Sequence, residues 1–333
     1  MEELITLDYG SGGKKTASLI EKLILPQLDN PALRQLGDGA VVPGGEELVF
    51  STDSFVVSPR FFPGGDIGKL AVCGTVNDIC MSGGEPRWLS LALILEEGLP
   101  TAELEQILSS VAKAAKEAGV CIVTGDTKVV EKGRGDGVYI NTAGIGVLRQ
   151  PGLSPRAIRP GDRVLVSGTV GDHGAAVMLA RNQNLVRGEL KSDCAPLHRL
   201  SAALRQLGSD LRVLRDPTRG GVATTLCEFV EGTARSILLE EEAIPVRPAV
   251  ASACDILGLD PLYCANEGKL LAVVAPERAE EALALLRGLP EGENAAVIGT
   301  VGEQWPGRVA VRTALGGTRI AAKLAGAQLP RIC

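Results

Sequence analysis

The stretch RQPGLSPRAIRPGD, residues 149–162, holds three prolines within ten positions. Each removes a backbone N–H and fixes φ, so neither a helix nor an inner strand can run through it. It divides the 333 residues into two halves with a boundary near residue 155, each long enough to bury a core of its own. Both halves mix helical and strand patterns.

In the first half, KKTASLIEKLIL reads as a helix and ELVFSTDSFVV as a strand running into a loop. Residues 66–81 have helical spacing, and an apolar strand follows over 89–95. Thr101 is placed to cap the helix AELEQILSSVAKAAKEAG, which Gly119 ends. VCIVTGD and GVYINTAGIGV are strands, with GRGDG at 133–137 as a hairpin turn between them. In the second half DRVLVSG, KLLAVVA and AAVIGTVG read as strands. Helices are expected near Ala175 and Leu197, in GVATTLCEFVEG and in ERAEEALALLRG. Strand pairs interrupt any regular βαβ alternation, so the pattern predicts α+β layers rather than a doubly wound sheet. The small-residue stretch from Thr313 to the end reads as a tail.

The 40 acidic residues outnumber the 34 basic ones, and no Lys/Arg run interrupts the excess, so the chain lacks the positive field that nonspecific nucleic-acid binding needs. WLSLALIL, the longest apolar run, is too short to span a bilayer, and MEELITLDYG lacks the basic start of a secretory signal. The expectation is a cytoplasmic protein with no membrane or nucleic-acid partner. None of the eight cysteines forms a C-x-x-C pair, and there are two histidines, which argues against zinc or iron-sulfur binding. Most cysteines sit in apolar runs such as KLAVCGTV and GVCIVTG, where a thiol behaves as a small hydrophobe. Cys333, in the closing LPRIC, has no such setting and is expected to be exposed and mobile. His173 and His198 read as surface or helix-end residues.

Five aspartates stand where apolar elements meet turn residues: Asp38 in LGDGAVV, Asp53 in STDSF, Asp78 in TVNDIC, Asp126 in VTGDTKVV and Asp216 in LRDPTRGG. Singly each serves as a turn former, and together they are the oxygen ligands that Mg²⁺ prefers when it bridges to nucleotide phosphates. YGSGGKKT, residues 9–16, fails both the P-loop and the dinucleotide patterns, yet its glycines and lysines can still offer N–H groups and charge to phosphate. Arg219, Gly220 and Gly221 stand at the start of a helix, where an anion is also welcome. Lys128 and Glu267 can be a solvated lysine and a turn glutamate, or a phosphate-orienting cation and a base.

The ordered set GDGAV, TDSF, GTVND, GDTKVV, DPTRGG, NEGK and terminal PRIC resembles the HypE family of carbamoyl dehydratases, which act in [NiFe]-hydrogenase maturation within the PurM-like ATP-binding superfamily. The resemblance spans nearly the whole chain, and PRIC narrows it to HypE. It implies a glycine-rich segment and helix over 1–36, an ATP-binding and dimerisation domain over 37–153, a second PurM-like domain over 154–316 and a mobile tail over 317–333. The implied reaction is ATP-dependent dehydration of an S-carboxamide on Cys333 to a thiocyanate. A HypF-like carbamoyltransferase would supply the carbamoyl group, and a HypC–HypD complex would accept the cyanide. By the same resemblance Asp38, Asp78 and Asp216 are metal ligands, and Asp53, Asp126, Thr127, Arg219 and Gly220 serve the nucleotide. Gly10, Gly12, Gly13 and Lys14 cover it, Glu267 is the base, and Lys128 assists phosphate or proton transfer. The implied homodimer joins strands of its first domains into a barrel. A selenophosphate synthetase would carry a reactive Cys or selenocysteine in the opening loop, where Ser11 stands; a noncatalytic carrier of the group on Cys333 is the remaining alternative.

Overall fold

The computed structural model describes residues 4–6, 18–30, 34, 44, 47–181, 190–323 and 331–333. Residues 18–28 are helical, which covers the described part of KKTASLIEKLIL. The first domain follows as β1 (Leu48–Phe55), α1 (Ile67–Met81), β2 (Gly84–Glu96), α2 (Thr101–Ala118), β3 (Cys121–Val130) and β4 (Val138–Leu148). Its four strands lie in the order β1-β4-β2-β3, with β2 and β3 parallel and the other pairs antiparallel. Asp66 starts α1, its carboxylate accepting from Gly68 N at 2.8 Å and Lys69 N at 3.0 Å. In α1 only Lys69 and Asp78 escape burial, because the helix is covered by the sheet, by α2 and by the second domain.

The second domain contains β5 (Arg163–Val166), α3 (Asp172–Arg181), α4 (His198–Leu204), β6 (Leu211–Arg215), α5 (Gly221–Val230) and β7 (Ser236–Glu240). It continues through α6 (Pro248–Leu257), β8 (Leu271–Val274), α7 (Ala279–Arg287), β9 (Ala296–Gly302), β10 (Val309–Arg312) and β11 (Thr318–Ala321). The seven strands run β11-β10-β7-β9-β5-β8-β6, antiparallel except for the β7/β10 pair. β8 is buried throughout because the sheet is covered on both faces. Leu271 and Val273 face the core that holds α5, whereas Ala272 and Val274 join the core shared with α4, α7 and the first domain.

Several expectations change. GRGDG is not a hairpin turn: β3 and β4 both pair with β2 and not with each other, so the loop crosses the end of β2. Glu96, on β2, accepts from Gly133 N and from Gly137 N to hold that crossing. Thr101 is the first residue of its helix rather than its cap; Pro100 precedes it with extended backbone, and no side chain caps the turn. Gly119 does end α2, in the left-handed conformation at φ 70°. The stretch read as tail contains β11, hydrogen-bonded along β10. Cys121 is exposed on edge strand β3, and His173 is fully buried rather than on the surface. Among the described residues no helix is long and apolar enough to cross a membrane.

Candidate active site

β1 and α1 build one wall. Alternation along β1 turns Ser51, Asp53 and Phe55 to the side less open to solvent. Phe55 lies under Gly74, where a Cβ would come within 2.8 Å of its ring, so glycine lets α1 approach the strand. Asp78 lies one helical turn beyond Gly74 on the same face, and its Oδ2 accepts the Ser51 hydroxyl at 2.8 Å.

Two buried asparagines place the facing wall. Asn77 Oδ1 accepts from Leu197 N at 2.8 Å while its Nδ2 donates to the carbonyls of Ala195 at 3.2 Å and Glu267 at 3.3 Å. Asn266 Oδ1 accepts from Gly171 N at 2.7 Å, and its Nδ2 donates to Pro217 O and Cys264 O. An amide that donates and accepts can tie several segments where a carboxylate cannot. The pair thereby fixes α1, the GDHG segment that opens α3, the DPT turn after β6 and the NEGK segment against one another. In the DPTRGG turn, Gly221 takes φ +61° within 2.5 Å, measured from an added Cβ, of the Leu262 carbonyl, so only glycine fits.

The walls enclose a cavity of about 260 Å³ lined by Asp53, Asp78, Asp216, Arg219, Glu267 and Cys333 among others. Burial raises the Asp216 carboxyl to about 7, and neighbouring Asp78 and Asp53 add to the rise. Burial likewise pushes Asp78 up, against the opposing pull of the Ser51 hydrogen bond. Glu267 is raised well above the usual carboxylate range, first by burial and then by surrounding thiol and carboxylate groups, and its Oε1 lacks a hydrogen-bond partner among the described residues. Among the described residues two cations line the cavity: Arg215, which pulls Asp78 and Asp216 down against burial, and Arg219, with Nε 3.3 Å from Cys333 Sγ and Nη2 3.9 Å from Asp53. A larger hollow of about 610 Å³ lies on the far side of Arg331, but Arg60 and Arg331 there are already paired with Glu103 and Asp136.

Cys333 reverses an expectation. It is 8% exposed rather than free in solvent, and burial with Glu267 nearby pushes its thiol up to about 12 although Arg219 pulls the other way. Val56 N donates to Cys333 O at 3.2 Å and Ser58 N to Arg331 O at 3.1 Å, so the last residues run beside the chain leaving β1. Burying the Ile332 side chain, 3% exposed, contributes about 2 kcal/mol to that seat.

Asp53, Asp78, Asp216, Arg219, Glu267 and Cys333 thus come together. Gly220 is the N-cap of α5 and does not line the cavity. Asp126, Thr127 and Lys128 stand on β3, at the opposite sheet edge from β1, with Lys128 Nζ 3.3 Å from Asp126 and both side chains mostly exposed. The chain therefore does not bring them to its own cavity. Gly10, Gly12, Gly13, Lys14 and Asp38 lie outside the described residues. Among the described residues no group of three or more His, Cys, Asp and Glu side chains can hold a metal by itself. The donor chemistry still suits magnesium shared with phosphate: Asp78 and Asp216 offer hard oxygens, and a cation would relieve their mutual repulsion.

Residues 36–148 match the family AIR synthase related protein, N-terminal domain, and residues 159–312 match AIR synthase related protein, C-terminal domain. The chain is 51% identical over 332 residues to the carbamoyl dehydratase HypE of Cupriavidus necator, covering 99% of this chain and 95% of that one. The chain belongs to the HypE family. A solved HypE in complex with ATP has TM-score 0.94 at 50% identity, covering 98% of this chain and 99% of its own. The HypE fold also matches a solved HypE–HypF complex at TM-score 0.80 and 48% identity, over 92% of this chain and 100% of that one. The two-domain α+β PurM-like architecture implied by the motifs is the one found.

Proposed function

We propose that the chain dehydrates an S-carboxamide carried on Cys333 to a thiocyanate, with ATP as the second substrate, and so supplies cyanide for a [NiFe]-hydrogenase iron centre. The observation that carries this reading is the seat of Cys333 Sγ in the same cavity as Asp78, Asp216 and Glu267. Dehydration needs the carboxamide oxygen turned into a leaving group and the nitrogen stripped of two protons. The oxygen takes the terminal phosphoryl group and leaves as phosphate, while the nitrogen's electrons close the third C–N bond. Glu267 is the base, and its raised carboxyl pKa makes it a stronger one once ionised. Arg219, beside the sulfur, balances charge on the phosphorylated group. Asp78 and Asp216, with Asp38, would hold Mg²⁺, which neutralises phosphate charge; Asp53 would serve the nucleotide, and Gly10, Gly12, Gly13 and Lys14 would cover it.

The relative solved with HypF supports a HypF-like carbamoyltransferase as donor, and the same family reading makes a HypC–HypD complex the acceptor. The outer face of the first sheet supports a homodimer: Leu48, Phe50 and Ile94 are exposed there, beside half-buried Trp88 and Ile145. Pairing of sheet edges across a dimer would place Asp126, Thr127 and Lys128 of one protomer near the cavity of the other, the arrangement in which they can act.

The test is the mass of the C-terminal peptide after incubation with the carbamoyltransferase, carbamoyl phosphate, magnesium and ATP. The carboxamide forms first and then loses one water; with a nonhydrolysable ATP analogue, after chelation of magnesium, or in Glu267→Gln, it persists. A carboxamide that persists with ATP and magnesium present leaves only the carrier role.

A further inference from the structure

We propose that His173 is a positioning residue, which grips the backbone next to Cys333 and so holds the sulfur in the cavity for the dehydration step. The proposal rests on the dehydratase reading above. It starts from a turn, GDHG, that the chemistry of the cavity does not otherwise use.

His173 lies in the first turn of α3 and is fully buried, its ring meeting the edge of Phe62 at a centroid distance of 5.4 Å and an angle of 88°. Both ring nitrogens are engaged, Nδ1 with Ser192 Oγ at 2.8 Å and Nε2 with Ile332 O at 2.8 Å. A carbonyl only accepts, so Nε2 carries the hydrogen and Nδ1 receives the Ser192 hydroxyl. Ser192 Oγ in turn accepts from Cys194 N at 3.0 Å, so each group in the chain has one defined role. Burial, which disfavours the imidazolium, agrees with this neutral tautomer.

The ring is rigidly tied to the reacting groups. Gly174 N, the next residue, donates to Ala265 O at 3.0 Å, and Gly171 N donates to Asn266. His173 and Glu267 are therefore set by the same bonds, and the grip on Ile332 fixes the sulfur relative to the base. Arg181, at the other end of α3, adds a second hold: Nη2 donates to Arg331 O and Nε to Ser58 O, both at 2.6 Å. These contacts keep Arg331 at φ +53°, a left-handed conformation that an arginine does not adopt without support.

The need for such a grip follows from burial. A thiol that is 8% exposed cannot take a carbamoyl group from another protein, so the segment leaves and returns in each turnover. On return, the sulfur is placed by Val56 N on Cys333 O, by Arg219 Nε on Sγ and, immediately before it in the chain, by His173 Nε2 on the Ile332 carbonyl. The last of these comes from the turn that is bonded to Ala265 and Asn266, so it is the one that sets the sulfur relative to Glu267.

The test uses the full-length chain and three variants, His173→Leu, His173→Gln and Arg181→Ala. The readouts are hydrogen exchange of the C-terminal peptide, the rate at which Cys333 is carbamoylated, and the rate of subsequent water loss. Removing the His173 hydrogen bond should speed exchange and slow water loss by about tenfold each, the equivalent of one lost bond, without slowing carbamoylation. His173→Gln, whose amide can donate to Ile332 O and accept from Ser192, should recover both to within about threefold. Arg181→Ala, at a more exposed site, should shift the two readouts in the same direction. Wild-type exchange and water loss in His173→Leu would overturn the proposal, as would equal slowing of carbamoylation and water loss. If the wild-type chain never loses water, the dehydratase reading fails, while the exchange data still decide whether His173 holds the segment.

Discussion

The buried seat of Cys333 makes a quantitative prediction about its reactivity. Alkylation requires thiolate, and burial with Glu267 nearby moves this thiol from 9.0 to about 12. Three pH units reduce the thiolate fraction about a thousandfold at any pH below 9, before steric hindrance adds to the protection. The assay is iodoacetamide labelling of the nucleotide-free chain at pH 8, with timed quenching, digestion and mass spectrometry. A free peptide of the sequence LPRIC, which carries the same thiol undocked, is the reference. Cys333 in the docked chain should lag behind that peptide by up to about a thousandfold. The sign of the pH dependence follows from linkage. The docked thiol keeps its proton while the undocked one ionises, so docking is undiminished below pH 9.0 and weakens as pH rises from there toward 12. Labelling should therefore accelerate above pH 9.0 as the segment is released as well as ionised. Labelling of Cys333 at pH 8 as fast as that of the free peptide would refute the reasoning, because docking would then not be the resting state.

Other contacts are testable by stability and assembly. Asn266→Ala removes the amide that joins three turns and should cost about 2–4 kcal/mol, with a lower thermal midpoint and slower water loss from the carboxamide. Asp162→Ala removes one buried partner of Arg212, 3.4 Å away, while Asp210 and the Ser209 carbonyl remain beside the guanidinium. It should destabilise the second domain by about 1–3 kcal/mol in thermal denaturation without touching the cavity. Phe50→Asp puts a charge on the exposed apolar face of the first sheet and should shift sedimentation velocity toward the monomer.

The sequence is legible where the signal is local. Asp53, Asp78, Asp216 and Glu267 each stood beside a turn residue at the end of an apolar element, and the fold brings them together. Asp126 carried the same signal, yet it sits at the wrong edge for its own cavity, because the order β1-β4-β2-β3 is set by long-range pairing that spacing does not encode. The strands LRVLR, SILLE and VAVR carry no legible signal, since four or five residues ending in a charge are too short to display a period. The site residues that the sequence hides share a different cause. Asn77 and Asn266 lie inside GTVND and NEGK, next to Asp78 and Glu267, and an uncharged amide becomes significant only when burial makes each of its bonds count. His173 likewise reads as a surface residue in the sequence, and its burial and its bond to the Ile332 carbonyl exist only in the fold. The chemistry of the cavity was thus legible in its charged groups, but what holds those groups in place is neutral and buried. Substitutions at Asn77, Asn266 and His173 should therefore impair the reaction while leaving all the charged residues intact.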